Sequence, residues 1–330
     1  MKTIAFFNNK GGVGKTSLVY HMAWMFADRG LKVLVADLDP QANLTGISLN
    51  EEALENLFTH DPKPTVYTAI APIKRGVGDL ASVSPIKLGP RLHLLVGDLD
   101  LSEFEDDLSQ SWPKCLDRDE RGFRVTTAIY RAVRDAAKIN DSELILIDVG
   151  PNLGALNRTT MIAADTIVVP VAPDLFSVQG LENVGPRLRT WREEWRERLA
   201  RAPSAFERDD LPVGLMNPIG YVVSRHTVRA DRPVKAYQRW IEKLPDVYAK
   251  SVLGEAGSPF DSESDPNLLA RMKDYRSLMP IAQERNKPMF LLKPADGAIG
   301  GHFAAVQSCY QDFLALAKKI AVRTGISLPK

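Results

Sequence analysis

The chain is poor in cysteine, with only Cys115 and Cys309 in 330 residues and no CxxC pairing. That spacing supports neither a disulfide framework nor a zinc knuckle, and both thiols read as small semi-apolar residues in a reducing compartment. Its five histidines, His21, His60, His93, His226 and His302, show no metal-ligand spacing. They read as structural, with His226 and His302 near loops that could face a ligand. No apolar run approaches the roughly 18–20 residues a membrane span needs. The first residues have no signal-peptide layout, so a cytoplasmic protein is expected. Nor does one sign of charge dominate. Lys and Arg number 42 against 41 Asp and Glu, a net of +1, which excludes a uniformly basic nucleic-acid coat and leaves local basic patches open. There is no internal repeat and no low-complexity segment.

What remains is a globular composition, 45% apolar and 25% charged, in a chain long enough to bury a full core. Apolar, β-branched runs recur at Thr3–Phe7, Lys32–Asp37, Leu92–Val96, Leu144–Ile147, Thr166–Val171 and Gly220–Val223. Helical stretches separate them, and that alternation predicts an α/β fold: a doubly wound, mostly parallel sheet covered on both faces. Residues 51–91 hold several Pro and Gly with little period and read as a loop-rich insertion. Asp98 to Asp107 carries six acidic residues and no basic one, a solvated face or a partner surface. Residues 185–275 read as a helical elaboration. Its first helix, about Pro186–Arg201, sets Trp191 and Trp195 among arginines. Its second, about Pro233–Leu244, places Tyr237, Trp240, Ile241 and Leu244 on one stripe.

The chemistry concentrates at the N-terminus. Lys10-Gly11-Gly12-Val13-Gly14-Lys15-Thr16 lies between the apolar run Lys2–Phe7 and a helical stretch, Ser17–Asp28, with no internal Gly or Pro. A glycine-rich loop there lets backbone N–H groups surround a phosphate, with the helix N-terminus adding a favourable dipole. Lys15 would reach the β- and γ-phosphates of a nucleoside triphosphate, and the Thr16 hydroxyl would ligate Mg²⁺. The ordinary pattern wants Gly where Asn9 stands, and this loop adds a second lysine, Lys10, at its mouth.

Two apolar runs end in aspartate. Val33–Ala36 leads into Asp37-Leu38-Asp39-Pro40-Gln41, and Leu144–Ile147 into Asp148. In a doubly wound sheet ligands sit beyond the carboxyl ends of the strands. There one of Asp37 and Asp39 could hold a metal-bound water and the other orient the water that attacks the γ-phosphate. Asp148 would order the Mg²⁺ shell. The turn Gly150-Pro151-Asn152-Leu153-Gly154 could register whether a γ-phosphate is present.

These three segments resemble the deviant Walker A, A′ and B motifs of ParA-type partition ATPases, in the ParA/MinD group. The resemblance is specific over residues 1–48 and 143–184, where Ile167–Pro170 and Gly180-Leu181 also fit, and Pro40-Gln41 looks more like partition proteins than MinD. It implies a single P-loop ATPase domain across 1–330 that hydrolyses ATP slowly with Mg²⁺. Gly11, Gly12, Val13, Gly14, Lys15, Thr16 and Ser17 would form the nucleotide cradle. Lys10 would cross a homodimer interface to the partner's phosphates, and Lys15 and Asp39 would act on the phosphoryl group and the hydrolytic water. Thr16, Asp37 and Asp148 would form the metal site. Two features depart from the family: Gly150 stands before Pro151 where two prolines are common, and Ser224 ends a strand where an asparagine is usual. Pro294, in Lys293-Pro294-Ala295-Asp296, is therefore the candidate for holding the base.

The family's dimers bind DNA nonspecifically and answer to a ParB-like activating partner. Arg225, Arg229, Arg232, Lys235, Arg239 and Lys243, against Asp231 and Glu242, form a local excess of +4 suited to phosphates, and Lys318, Lys319 and Arg323 could extend it. A solvated helix face is the alternative. A MinD-like membrane-cycling regulator would need a terminal amphipathic anchor, but Phe313–Lys330 contains Gly325 and Pro329 and reads as a packed last helix. The cysteine ligands that an iron–sulfur reductase of the same fold needs are missing from this chain.

Overall fold

The structure is a computed structural model that describes residues 1–226, 234–275 and 277–329, apart from the side chains of residues 225–226 and 234–237. The first half runs β1 (Lys2–Phe6), α1 (Lys15–Asp28), β2 (Val33–Asp37), α2 (Asn43–Ser48), α3 (Glu51–Thr59), α4 (Val66–Arg75), β3 (Ile86–Gly89), β4 (Leu92–Leu95), α5 (Glu105–Lys114), α6 (Glu120–Thr126) and α7 (Ala128–Ile139). Then follow β5 (Leu144–Asp148), α8 (Ala155–Ile162), β6 (Thr166–Val171), α9 (Leu175–Leu199), β7 (Asn217–His226), α10 (Val234–Val247), β8 (Leu268–Lys273), α11 (Met279–Glu284) and α12 (Gly301–Thr324). The strands form one eight-stranded sheet in the order β3-β4-β2-β5-β1-β6-β7-β8, parallel except for the β3–β4 pair.

Both faces of this sheet are dry, which is why its central strands read as unbroken apolar runs. Successive residues serve opposite cores. Ile4 and Phe6 join one, with Val33, Val35, Leu144 and Leu146; Ala5 and Phe7 join the other, with Leu34, Ala36, Ile145 and Ile147. Each Val, Leu, Ile or Phe among them is worth about 1.5–3 kcal/mol when fully buried.

Register does the rest. Parallel pairing sets Phe6 and Asp37 each opposite Asp148, so three chain segments end level at one edge of the sheet.

The insertion at 51–91 corrects the loop-rich expectation. Asn50 caps α3 by accepting from Ala53 N–H at 2.8 Å, and Thr65 caps α4 by accepting from Thr68 N–H at 3.3 Å. Val66, Ala69, Ile70 and Ile73 are buried along α4, a helical stripe that contains Pro72, and Gly76 ends the helix at φ 69°. Strands β3 and β8 were not expected either. The four residues of β3 are half-buried or exposed, and β8 mixes Arg271 and Lys273 into an edge strand, so neither carries a long apolar run.

The arginines of α9 are staples. Arg189 donates to Ser251 O at 2.5 Å, Arg192 to Met216 O at 2.5 Å, Arg198 to Trp112 O at 2.8 Å and Arg201 to Leu116 O at 2.9 Å. Trp191 and Trp195 are buried beneath them, and the Trp195 indole donates to Pro212 O at 2.8 Å. On α10, Ile241 and Leu244 are buried and Trp240 packs at the margin, while the side chain of Tyr237 lies outside the described residues.

Of the acidic run Asp98–Asp107 only Asp98 is buried, while Glu103 and Asp106 are exposed. Asp98 accepts from Thr65 Oγ1 at 2.7 Å, Glu103 pairs with Lys74 at 2.7 Å, and Glu105 accepts from the first N–H groups of α8.

Candidate active site

The loop between β1 and α1 turns on Gly12 (φ 73°) and Gly14 (φ 82°), and a Cβ on either would meet nothing within 4 Å. It is therefore the left-handed backbone, not crowding, that calls for glycine at these two positions. Asn8 moors the loop. Its Nδ2 donates to Pro170 O at 2.7 Å and its Oδ1 accepts from Lys10 N–H at 3.0 Å. Gly180 on α9 makes room, since a Cβ there would lie 2.9 Å from the side-chain oxygens of both Asn8 and Asn9. Val13 is buried, while Gly11 and Gly12 are exposed.

Lys15 opens α1 and is 7% exposed, with its Nζ donating to Lys10 O at 3.2 Å. Burial holds its pKa below the ordinary lysine value, against the pull of the nearby Asp148 and Asp39 carboxylates. Asp148 is wholly buried, and neither of its carboxylate oxygens has a hydrogen-bond partner among the described residues. Burial, reinforced by Asp37, pushes its pKa up to about 8, with the Thr16 hydroxyl and Lys15 pulling the other way. A buried, unsatisfied carboxylate beside a threonine at the mouth of a phosphate-type loop is what a Mg²⁺ ion sharing its ligands with phosphate would satisfy. Among the described residues no group of three or more His, Cys, Asp or Glu could hold a metal without such help. The donor set fits the implied ion.

The Asp37 carboxylate is engaged by its own chain. Its Oδ2 accepts from Thr45 N–H at 2.7 Å and Thr45 Oγ1 at 2.8 Å, which ties α2 to the end of β2. Burial raises its pKa to about 6 against those two bonds. Asp39 is also buried, and its Oδ1 accepts from Gln41 N–H at 3.0 Å.

Lys10 is held within its own chain. Its Nζ forms an ion pair with Asp174, lies 3.4 Å from Ser177 Oγ and sits 5.9 Å from the centre of the Phe176 ring. Asp174 is also the N-cap of α9, accepting from Ser177 N–H at 2.9 Å.

A cavity of about 120 Å³ opens beside Gly14 and Ser17, walled by Ser224, Met272, Tyr275 and Met279. Pro294 does not line it; it starts a 3₁₀ turn at Pro294–Asp296. The ends of β7 and β8 converge on this cavity. Ser224 holds the position where the family usually has an asparagine, whereas Met272 and Tyr275 lie within no recognised motif and only the unexpected strand β8 brings them here.

Of the proposed basic strip, Arg229 and Arg232 lie outside the described residues, as do the side chains of Arg225 and Lys235. Arg239 is exposed, as are Lys243 and Lys318. Lys319 and Arg323 instead donate to Leu268 O at 3.3 Å and Pro266 O at 2.6 Å. His21 is structural: its Nε2 accepts from Met289 N–H at 3.2 Å while its Nδ1 faces Ser17 O at 2.7 Å.

A protein-family model described as AAA domain matches residues 1–201. The chain belongs to that family, and its two-lysine P-loop, its Asp37–Gln41 run and its Asp148 strand end make it a ParA-type P-loop ATPase. It is 32% identical over 241 residues to a Rhizobium rhizogenes protein named as a replication protein A, covering 68% of this chain and 54% of that one. To a chromosome partitioning protein ParA of Caulobacter vibrioides it is 30% identical over 183 residues, 55% of this chain and 60% of that one. The chain thus spans between about half and three-fifths of the length of these two relatives. Among solved structures, protein DIP2308 of Corynebacterium diphtheriae superposes with a TM-score of 0.68 at 24% identity, covering 98% of this chain and 99% of the other. The ATP complex of a Cyanothece McdA variant superposes at 0.62 and 16% identity, covering 99% and 97%. Likenesses at these identities speak for the fold. No helix among the described residues is long and apolar enough to cross a membrane.

Proposed function

We propose that the chain is an ATP-dependent, dimerising switch ATPase that serves plasmid or chromosome partition, or the positioning of another cargo, over nonspecific DNA. The observation that carries this is two lysines on one glycine loop with different stations. Lys15 is buried beside Asp39 and Asp148, and Lys10 is at the rim on a single, half-exposed ion pair. Names of relatives concerned with chromosome partitioning and a neighbour holding ATP support it.

In this scheme one ATPase domain spans residues 1–330. The N–H groups from Gly11 to Ser17 hold the phosphates, and Lys15 meets the β- and γ-phosphate oxygens. Asp39 orients the attacking water, work that depends on placement more than on basicity. Thr16, Asp37 and Asp148 would hold Mg²⁺, which when bound supplies charge neutralisation along the phosphates. The base would enter the cavity walled by Ser224, Met272 and Tyr275.

Lys10 would leave Asp174 for the triphosphate of a second subunit. Two nucleotides face to face concentrate negative charge, and one lysine from each side offsets it. ATP would then favour the dimer and hydrolysis would release it, with a ParB-like partner setting the rate. The apolar face of α12, with Val306, Phe313, Leu316 and Ile320, is buried within the fold.

The test is light scattering with Mg²⁺ and a non-hydrolysable ATP analogue. Wild-type protein should dimerise, and Lys10→Ala should lose dimerisation or hydrolysis while its monomer still binds nucleotide. A wild type that stays a single subunit overturns the switch. For the DNA arm, duplex retardation should need ATP and fall steeply with salt; equal retardation with ATP, ADP or no nucleotide overturns it.

A further inference from the structure

Behind Asp39 runs the loop that follows β5, and a side chain outside every motif sets its course. Asn157, in the first turn of α8 and fully buried, donates from Nδ2 to Gly150 O at 2.8 Å and to Asn152 O at 2.7 Å. Both partners are acceptors, so only the amide nitrogen can face them. The cost is visible at the other end of the amide, where Asn157 Oδ1 is buried with no hydrogen-bond partner among the described residues. An apolar residue of similar size would fill the space without that penalty. What the asparagine contributes is two N–H groups on one atom, which draw two carbonyl oxygens together.

The clamped loop borders the carboxylate assigned to the hydrolytic water. A Cβ added to Gly150 would come within 3.1 Å of Asp39 Oδ1. That oxygen is therefore bracketed, with the Gln41 N–H at 3.0 Å as its bonded neighbour and the Gly150 backbone beside it. The base of the clamp is firm. Glu105, reaching over from α5, accepts from Ala155 N–H at 2.5 Å and Leu156 N–H at 2.8 Å and so pins the start of α8.

We propose that Asn157 is a positioning residue for ATP hydrolysis: its two hydrogen bonds hold Gly150 and Asn152 in the course that seats the Asp39 carboxylate for the attacking water. This rests on the assignment of Asp39 above. Nucleotide binding depends on the P-loop, so the clamp should influence turnover and leave affinity alone.

The experiment compares Asn157→Leu and Gly150→Ala with the wild type. Single-turnover hydrolysis, the Kd of a fluorescent ATP analogue and the lifetime of the ATP-bound complex are measured, with thermal unfolding as the control for folding. Asn157→Leu should slow hydrolysis about 10- to 100-fold, because displacements near 1 Å at a reacting centre cost that much. Its nucleotide Kd should stay within about twofold, and the ATP complex should persist longer by the factor lost in turnover. Gly150→Ala keeps the clamp, adds one methyl toward Asp39 and should show the same split more weakly. Hydrolysis within twofold of wild type in a folded Asn157→Leu protein overturns the proposal, as does a parallel loss of affinity and turnover. Should Asn157→Leu not fold, unchanged turnover in Gly150→Ala overturns it instead. A wild type without ATPase activity, or an Asp39→Ala variant that hydrolyses normally, defeats the assignment of Asp39 and is recognisable as that failure.

Discussion

Replacing Asp174 with asparagine should tighten ATP-dependent self-association. Lys10 cannot reach a second subunit's phosphates while its Nζ is paired with Asp174, so every dimer formed must break two such pairs, one in each subunit. The side chains are 24% and 40% exposed, which places the pair among those worth about 0.2–1 kcal/mol. Two of them cost about 0.4–2 kcal/mol, a change of roughly 2- to 30-fold in the dimer dissociation constant. Asparagine removes the charge but keeps a side-chain oxygen for the Ser177 N–H, so the cap of α9 survives. Sedimentation equilibrium with Mg²⁺ and a non-hydrolysable ATP analogue would measure the constant directly. The gain should shrink between low and high salt, because a half-exposed pair is screened. It should also vanish when Lys10→Ala is already present, since the cycle isolates the interaction between the two side chains. An Asp174→Asn protein that dimerises no better than wild type, or worse, would refute competition for Lys10.

The buried imidazole of His21 predicts an acid-sensitive P-loop helix. Burial lowers its pKa to about 4, so between pH 6.5 and 4 the unfolded chain takes up a proton that the folded chain refuses. Its contribution is complete above pH 6.5 and falls as the pH drops toward 4, by up to about 3 kcal/mol. Urea unfolding at pH 7, 5.5 and 4.5 should show this loss as the difference between wild type and His21→Gln, and parallel pH profiles would exclude it. Gly185→Ala should destabilise the fold by about 2–3 kcal/mol, because a Cβ there would overlap the Ser251 carbonyl and force α9 away from the segment at residues 248–253. A thermal midpoint equal to wild type would show that this packing yields freely.

Much of the site was legible because its chemistry is local. A glycine loop between a strand and a helix needs only neighbouring residues, so Lys10 to Ser17 could be read directly, as could the aspartates ending β2 and β5. Helices α3 and α4 were legible too, through the caps Asn50 and Thr65 and the stripe Val66, Ala69, Ile70 and Ile73, but the density of Pro and Gly across 51–91 obscured them. The arginines of α9 illustrate the opposite case. Nothing adjacent in sequence marks their task, for Arg189, Arg192, Arg198 and Arg201 bind carbonyl oxygens 24–86 residues away.

By itself, the order of residues determined which backbone could cradle a phosphate and which strands would be buried on both faces, since a glycine loop and an unbroken apolar run are properties of a few adjacent positions. Tertiary structure decided what each charged group was left free to do. Strand register brought Asp37 level with Asp148, and Thr45 then occupied Asp37 and left Asp148 unsatisfied. Strand order carried Asp174 to Lys10 across 164 residues, and the turn into α8 folded Asn157 back onto Gly150 and Asn152. A carboxylate becomes a ligand, a latch or a cap according to the donors within about 3 Å of it, and those donors are known only once the chain has closed.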